Sequence, residues 1–128
     1  MTKAGRVDKV GGPEVLTYED VEVGAPGTGE VRIRQHAVGL NFIDVYHRTG
    51  LYPMEPPFIP GVEAAGVVEG LGEGVEDLAV GDHVAYTGNA GPGSYCELRV
   101  LPRSKLYALP DSIDDTTAAA IMLKGATV

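Results

Sequence analysis

Glycine and proline recur at short intervals along the whole chain, and this spacing limits the length of any regular element between them. The 128 residues include 18 glycines and 9 prolines, which are spread rather than clustered. Both residues favour turns and interrupt helices, so the intervening segments are short. Several of these segments alternate apolar and polar residues, as half-buried strands do. The sequence therefore predicts a mainly β domain with one or two short helices.

The clearest predicted strand begins at Glu30. From Val31 to Val38 the odd-numbered positions form one face, and Arg32, Arg34 and His36 lie on the other. This alternation is the period-2 pattern of a strand with one buried face. Further strands are predicted at residues 2–10, 15–23, 61–69, 81–86, 94–101 and 105–109.

Two segments have helical character instead. Apolar residues at helical spacing follow Asn41, and Gly50 is placed as a helix stop, which predicts a short helix between them. The second helix is predicted over residues 113–124, where Ser112-Ile113-Asp114-Asp115 matches a capping-box pattern ahead of an Ala-rich run. Between the helices, four prolines within residues 51–60 exclude regular structure.

Charge and composition exclude several classes of function. A net charge of -8 is unfavourable for binding nucleic acid, because phosphates are bound chiefly by Lys and Arg. The single cysteine, Cys96, excludes an intramolecular disulfide and is predicted to serve packing. No window approaches the roughly 20 apolar residues of a membrane span, and no secretory signal is visible. We expect a soluble, cytoplasmic protein that binds neither nucleic acid nor membrane.

Three segments carry a family resemblance. Residues 60–69 (PGVEAAGVVE), with the glycines that follow and residues 80–84 (VGDHV), resemble the medium-chain dehydrogenase/reductase superfamily. Residues 38–53 (VGLNFIDVYHRTGLYP) and 118–127 (AAAIMLKGAT) resemble its quinone oxidoreductases of the zeta-crystallin type. The resemblance implies a co-chaperonin (GroES)-like barrel, which in this superfamily is followed by a Rossmann domain.

The zinc ligands of related alcohol dehydrogenases are replaced here. Those enzymes carry a cysteine before the first helix and a histidine in the glycine-rich block, where this sequence has Asn41 and Val62. Asp44 and Glu63 remain, but carboxylates without thiolate or imidazole are a poor zinc site. The three histidines match no ligand spacing and are predicted to be surface or half-buried residues: His36, His47 and His83. We therefore predict no metal.

The resemblance implies that NADPH passes a hydride to a quinone or related enone. It assigns catalytic roles to Tyr46 and Tyr52, in orienting and polarising the substrate. It places the cofactor against Asn41, Phe42, Ile43, Asp44, Tyr46, Lys124 and Thr127. Structural alternatives stay open: Asn41 is also a favoured helix cap, either tyrosine is also a reasonable core residue, and Lys124 also suits a helix C-terminus.

The chain contains no Gly-x-Gly-x-x-Gly motif after a strand. Residues 1–128 are therefore interpreted as a truncated, substrate-side catalytic domain, whose helix 113–124 starts the linker to a missing Rossmann domain. On this interpretation the fragment alone is inactive and binds NADPH weakly, and its full-length parent is a homodimer. The alternative is a stand-alone, non-enzymatic GroES-like module for binding or assembly.

Overall fold

The computed structural model describes residues 2–51, 54–110, 112–114 and 117–119. In this part of the chain the elements are β1 (Thr2–Val7), β2 (Leu16–Val21), β3 (Glu30–Val38), α1 (Phe42–Thr49), β4 (Ala64–Leu71), β5 (His83–Tyr86), β6 (Leu98–Pro102) and β7 (Tyr107–Ala108). Residues 117–119 are also helical. The predicted mainly β fold with two short helices is confirmed.

The strands form two antiparallel sheets. Strands β1 and β2 pair with each other, and the larger sheet has the order β6-β3-β4-β5-β7. Main-chain bonds link β1 to the segment before β6: the Gly5 N–H donates to the Tyr95 carbonyl (2.8 Å) and the Glu97 N–H donates to the Lys3 carbonyl (3.0 Å). The small sheet is thereby held against the large one.

The core lies on one face of the larger sheet. Val31 and Ile33 of β3 are fully buried, whereas the next residue, Arg34, is exposed. The alternation in the sequence predicts this difference. Val31 and Ile33 pack with buried side chains of the neighbouring strands, namely Val68, Val84, Tyr86 and Leu101. Each fully buried Val or Ile contributes about 1.5–3 kcal/mol. This core fixes β3, and the chain leaving β3 leads directly to α1.

Helix α1 has the predicted ends but an unusual burial pattern. Gly50 adopts the left-handed conformation (φ 87°), and its N–H donates to the Tyr46 carbonyl (3.1 Å), which ends the helix. The buried side chains of the helix are Asp44 and His47, while Phe42 is 80% exposed. An amphipathic helix ordinarily buries its apolar face. Here the polar residues face inward, and the apolar Phe42 is presented at the surface.

Several predicted boundaries were wrong. The strand predicted at 61–69 begins at Ala64, because Gly61 has a positive φ of 98° and turns the chain out of the ladder. The strand predicted at 94–101 begins at Leu98, because the carbonyls of residues 94 and 96 are hydrogen-bonded by a side chain of β3.

The start of the second helix was also placed too early. Asp114 precedes the helical residues, and its Oδ1 accepts the Thr117 N–H at 2.7 Å, so the cap is Asp114 rather than Ser112. Ile113, predicted as the first residue of this helix, lies outside it. Residues 120–128, including Lys124 and Thr127, lie outside the described residues.

Within the part of the chain that the structure describes, no helix is both long enough and apolar enough to cross a membrane.

Candidate active site

The N-terminus of α1 is closed by a reciprocal pair of bonds between Asn41 and Asp44. Asn41 has the extended backbone of a helix cap, and its N–H donates to Asp44 Oδ2 at 3.0 Å. In turn the Asp44 N–H donates to the Asn41 carbonyl at 3.0 Å. A carboxylate at this position also suits the positive end of the helix dipole. Capping of this kind stabilises a helix by about 1 kcal/mol.

The side chain of Asn41 is bonded to a buried carboxylate. Its Nδ2 donates to Glu63 Oε1 at 2.9 Å, and Glu63 is completely buried. Gly39, two residues before the cap, donates its N–H to the Glu63 carbonyl at 2.9 Å. A Cβ on Gly39 would collide with Glu63 Oε1 and with the Ala119 carbonyl. The loop before α1, the loop before β4 and the helical residues 117–119 therefore meet closely at this point.

A tyrosine that lies 51 residues after Asp44 in the chain also contacts the cap. The Tyr95 hydroxyl donates to Asp44 Oδ2 at 2.8 Å. Burial, together with this hydrogen bond to Asp44, raises the pKa of Tyr95 well above its usual range. The phenol consequently stays protonated and serves as a donor at physiological pH.

Gln35 of β3 holds the segment that carries this tyrosine. Its Nε2 donates to the carbonyls of Ser94 (2.9 Å) and Cys96 (2.5 Å), and its Oε1 accepts the Tyr86 hydroxyl. Burial raises the pKa of Tyr86, which keeps that hydroxyl protonated. One side chain thus ties β5 and residues 94–96 to the centre of the larger sheet.

We expect Gln35→Ala to lower the free energy of unfolding by about 2 kcal/mol, since three partly buried hydrogen bonds are lost together. Chemical denaturation would measure the change. Gln35→Glu keeps the acceptor for Tyr86 but turns a charged oxygen toward two carbonyls, so it should be at least as damaging. A Gln35→Glu variant as stable as the original would contradict this account.

The cap is flanked by two exposed apolar side chains. Leu40 is 72% exposed and Phe42 80% exposed, and with Asn41 and Val45 they line a cleft of about 220 Å³. Large apolar side chains exposed side by side are uncommon on a surface without a binding role. An apolar cleft whose lining includes one polar residue suits a flat organic ring.

A wider groove of about 530 Å³ lies between the two sheets, next to this cleft. The groove is lined by residues of β1, β2 and β3 and by residues 95–97. Leu40 lines both the groove and the cleft. None of the described residues predicted for the site lines this groove. We therefore place the candidate site at the Asn41 cleft.

Of the predicted site residues that the structure describes, Asn41 and Phe42 line the cleft, whereas Ile43, Asp44 and Tyr46 are not among its lining residues. Phe42, Ile43 and Tyr46 are on α1 next to Asn41, and Tyr46 is four residues after Phe42, on the same side of the helix. Ile43 and Tyr46 are half-buried, whereas Asp44 is only 4% exposed and is held by the cap. Tyr52, Lys124 and Thr127 lie outside the described residues.

Sequence reasoning missed Leu40, Val45, Gln35 and Tyr95. Leu40 carries a signal in retrospect, as a large apolar residue directly before a polar cap. Tyr95 and Gln35 carry none, because their partners are far away in sequence.

A comparison with family models decides the family. The model for the alcohol dehydrogenase GroES-like domain matches residues 27–111 of this chain. The chain belongs to the alcohol dehydrogenase GroES-like domain family. The match runs from just before β3 to just after β7, so it includes α1 and the whole larger sheet. The fold expected from the resemblance is confirmed.

Curated relatives of this GroES-like domain include named reductases. A quinone oxidoreductase from Pseudomonas aeruginosa is 52% identical over 131 residues, which cover 99% of this chain and 39% of the relative. A 2-haloacrylate reductase from a Burkholderia species is 44% identical over 133 residues, covering 99% of this chain and 40% of the relative. The chain thus spans about two fifths of the length of these relatives.

A solved structure of a quinone oxidoreductase is also similar to this chain. The Escherichia coli quinone oxidoreductase complexed with NADPH superposes with a TM-score of 0.89 at 36% identity. The match covers 99% of this chain and 39% of that structure.

A zinc site requires several ligating side chains to converge on one point. Among the described residues, no group of three or more His, Cys, Asp or Glu side chains is arranged to hold an ion. Val62 is buried and offers no ligand atom, and the Asn41 amide is bonded to Glu63. The described residues at these two positions therefore do not fit a zinc ion.

The predicted burial is confirmed for two of the three histidines and was wrong for the third. His36 is exposed and His83 is half-buried, as predicted. His47 is only 8% exposed, so its prediction as a surface or half-buried residue was wrong. It is on the inward face of α1, three residues after Asp44, and the capping of Asp44 turns that face inward. Cys96 is buried, which raises the pKa of its thiol and makes it a poor nucleophile.

Proposed function

We propose that this domain is the substrate-side catalytic part of an NADPH-dependent quinone reductase that works without zinc. The observation that carries the proposal is the apolar cleft built around Asn41, with Leu40 and Phe42 exposed on either side of it. The names of the relatives support the same activity. Residues 1–128 as the domain, the cytoplasmic location and the homodimeric parent stay predictions.

The cleft suits the nicotinamide end of the cofactor and the ring that it reduces. When bound, NADPH supplies the hydride, which is the difficult part of the chemistry. The flat, exposed face of Phe42 and the side chain of Leu40 would keep water from the reacting rings. Asn41 and the backbone of Phe42 and Ile43 would bind the ribose and carboxamide side. Asp44 is buried, so its part is to hold the end of the helix on which these groups lie.

The proposed role of Tyr46 is to orient and polarise the substrate oxygen. A phenol is a weak general acid near neutral pH, so donation of a hydrogen bond is more useful here than full proton transfer. A donor placed where charge develops during hydride transfer lowers the barrier. Tyr52 has the same proposed role.

The proposed substrate class is an electron-poor double bond conjugated to a carbonyl, as in a quinone or enone. Such a substrate accepts a hydride without activation by a metal. The two named relatives, a quinone oxidoreductase and a 2-haloacrylate reductase, both have names that fit this class. Zinc has no place in this proposal, because the positions of Asn41 and Val62 provide no ligands for it.

In the full-length protein, we expect Tyr46→Phe to lower kcat for quinone-dependent NADPH oxidation about three- to tenfold, the value of one hydrogen bond in the transition state. Loss of NADPH absorbance in the presence of a quinone measures the rate. Tyr107→Phe makes the same chemical change on the exposed strand β7 and should leave kcat unaltered.

Two results would count against the proposal. Full turnover by the Tyr46→Phe variant would remove Tyr46 from the chemistry. A full-length protein that neither quenches nor shifts NADPH fluorescence on titration would favour the stand-alone binding or assembly module.

A further inference from the structure

We infer that Tyr95 is a positioning residue, which orients Asn41 and the first turn of α1 through its hydrogen bond to Asp44. The inference rests on the proposed function, because its consequence for activity depends on NADPH binding at the Asn41 cleft.

One oxygen of the Asp44 carboxylate accepts two hydrogen bonds. Asp44 Oδ2 accepts the Asn41 N–H at 3.0 Å and the Tyr95 hydroxyl at 2.8 Å. The other oxygen, Oδ1, is buried and has no hydrogen-bond partner among the residues that the structure describes. The orientation of this carboxylate therefore depends on Tyr95 on one side and on the cap on the other. Removing either bond leaves this buried oxygen with a single hydrogen-bond partner.

The backbone of Tyr95 is held by several hydrogen bonds, so its side chain can orient Asp44 from a fixed position. Its N–H donates to the Pro60 carbonyl at 3.0 Å, and its carbonyl accepts the Gly5 N–H at 2.8 Å. Gln35 fixes the carbonyls on both sides of it, and a Cβ on Gly61 would collide with its ring. Contacts from β1, β3 and the loop before β4 thus fix the backbone of Tyr95, Gly61 lies against its ring, and its hydroxyl reaches Asp44 on α1.

The Asn41 side chain has a second fixed point. Its Nδ2 donates to Glu63 Oε1, while its backbone N–H depends on Asp44. Tyr95 and Glu63 therefore hold the backbone and the side chain of Asn41 from opposite ends. Loss of the Tyr95 hydroxyl should loosen the backbone at the cap without removing any group that lines the cleft, because Tyr95 is not among the residues lining it.

The test uses Tyr95→Phe in the full-length protein, with Tyr107→Phe as the matched control. Tyr95→Phe keeps the ring against Gly61 and removes only the hydroxyl. We expect exchange of the Asn41 amide hydrogen to accelerate about fivefold, with the strands of the larger sheet unchanged. We also expect KM for NADPH to rise about threefold, while KM for the quinone stays within twofold. The control variant should change none of these quantities.

A double-variant comparison separates positioning through Asp44 from general loosening. In an Asp44→Ala background, which lacks the acceptor of the Tyr95 hydroxyl, Tyr95→Phe should have a smaller effect on exchange of the Asn41 amide than in the original protein. Equal effects in both backgrounds would overturn the inference, as would faster exchange across the whole domain. If Tyr95→Phe fails to fold, Tyr95→Leu, which also lacks a donor for Asp44, is measured instead, and unchanged protection of the Asn41 amide overturns the inference.

The proposed function and the positioning role of Tyr95 can be contradicted separately. If the original full-length protein does not oxidise NADPH, the proposed function fails, and the exchange measurement still tests the link from Tyr95 to Asn41. If it does oxidise NADPH and Tyr95→Phe leaves KM for NADPH unchanged, the inference fails and the proposed function stands.

Discussion

Gly61→Ala is expected to lower the free energy of unfolding of this domain by about 4 kcal/mol. Gly61 has φ +98°, a conformation that costs a residue with a Cβ about 1–2 kcal/mol. An added Cβ would also collide with Ser94 Oγ and with the Tyr95 ring. Ser94 is completely buried, so overpacking adds about 1–3 kcal/mol. The collision also displaces Tyr95, which bonds Asp44.

Gly74→Ala is the matched control for this substitution. Gly74 has a similar φ of +89°, but a Cβ there would meet nothing within 4 Å. It should therefore show the backbone cost alone, about 1–2 kcal/mol. Urea unfolding followed by circular dichroism would measure both variants. Equal losses at the two positions would mean that the site next to Tyr95 relaxes, contrary to the packing described above.

The parts of the fold that the sequence predicts are those decided by short-range patterns. The alternation along β3 depends on neighbouring residues, and the end of α1 depends on Gly50, which alone can readily take the φ of 87° found there. The boundary errors arose where a distant contact overrides local preference. The predicted strand at 94–101 lost its first residues because Gln35, 59 and 61 positions earlier in the chain, bonds the carbonyls of Ser94 and Cys96.

In the candidate site, too, local patterns were predicted from the sequence and distant contacts were not. Asn41 was predicted both as a helix cap and as a ligand contact, and its cap geometry is present. Its bond to Glu63 spans 22 residues, and the bond from Tyr95 to Asp44 spans 51. No local pattern encodes either pair, because each arises only when the sheets are assembled. The inward position of Asp44 follows from these bonds, and it could not be read from an apolar helical spacing.

A substitution at Asn41, which donates a hydrogen bond to Glu63, has the second large expected effect on stability. Asn41→Asp keeps the shape and the capping ability of the residue, since Asp and Asn are similar helix caps. It replaces the donor Nδ2 with a carboxylate oxygen, placed 2.9 Å from Glu63 Oε1 in a buried site. Two facing carboxylates without a donor between them should lower the free energy of unfolding by about 3 kcal/mol at pH 8.

The loss should depend on pH, and its sign follows from proton binding. In the folded Asn41→Asp variant the facing carboxylates hold a shared proton more tightly than the same groups do in the unfolded chain. The folded state then binds more protons than the unfolded state, so stability falls as pH rises. We expect the variant to be closest to the original protein near pH 5 and furthest from it near pH 8. Urea unfolding at both pH values would measure the difference.

A double variant that exchanges the amide and the carboxylate between positions 41 and 63 provides the control. Glu63→Gln, added to Asn41→Asp, supplies an amide donor from the opposite side, so one carboxylate and one amide again face each other. The double variant should recover at least half of the lost stability at pH 8 and lose the added pH dependence. Failure to recover, with a pH dependence as steep as that of Asn41→Asp alone, would mean that the cost arises elsewhere. Recovery would show that these positions require one donor and one carboxylate.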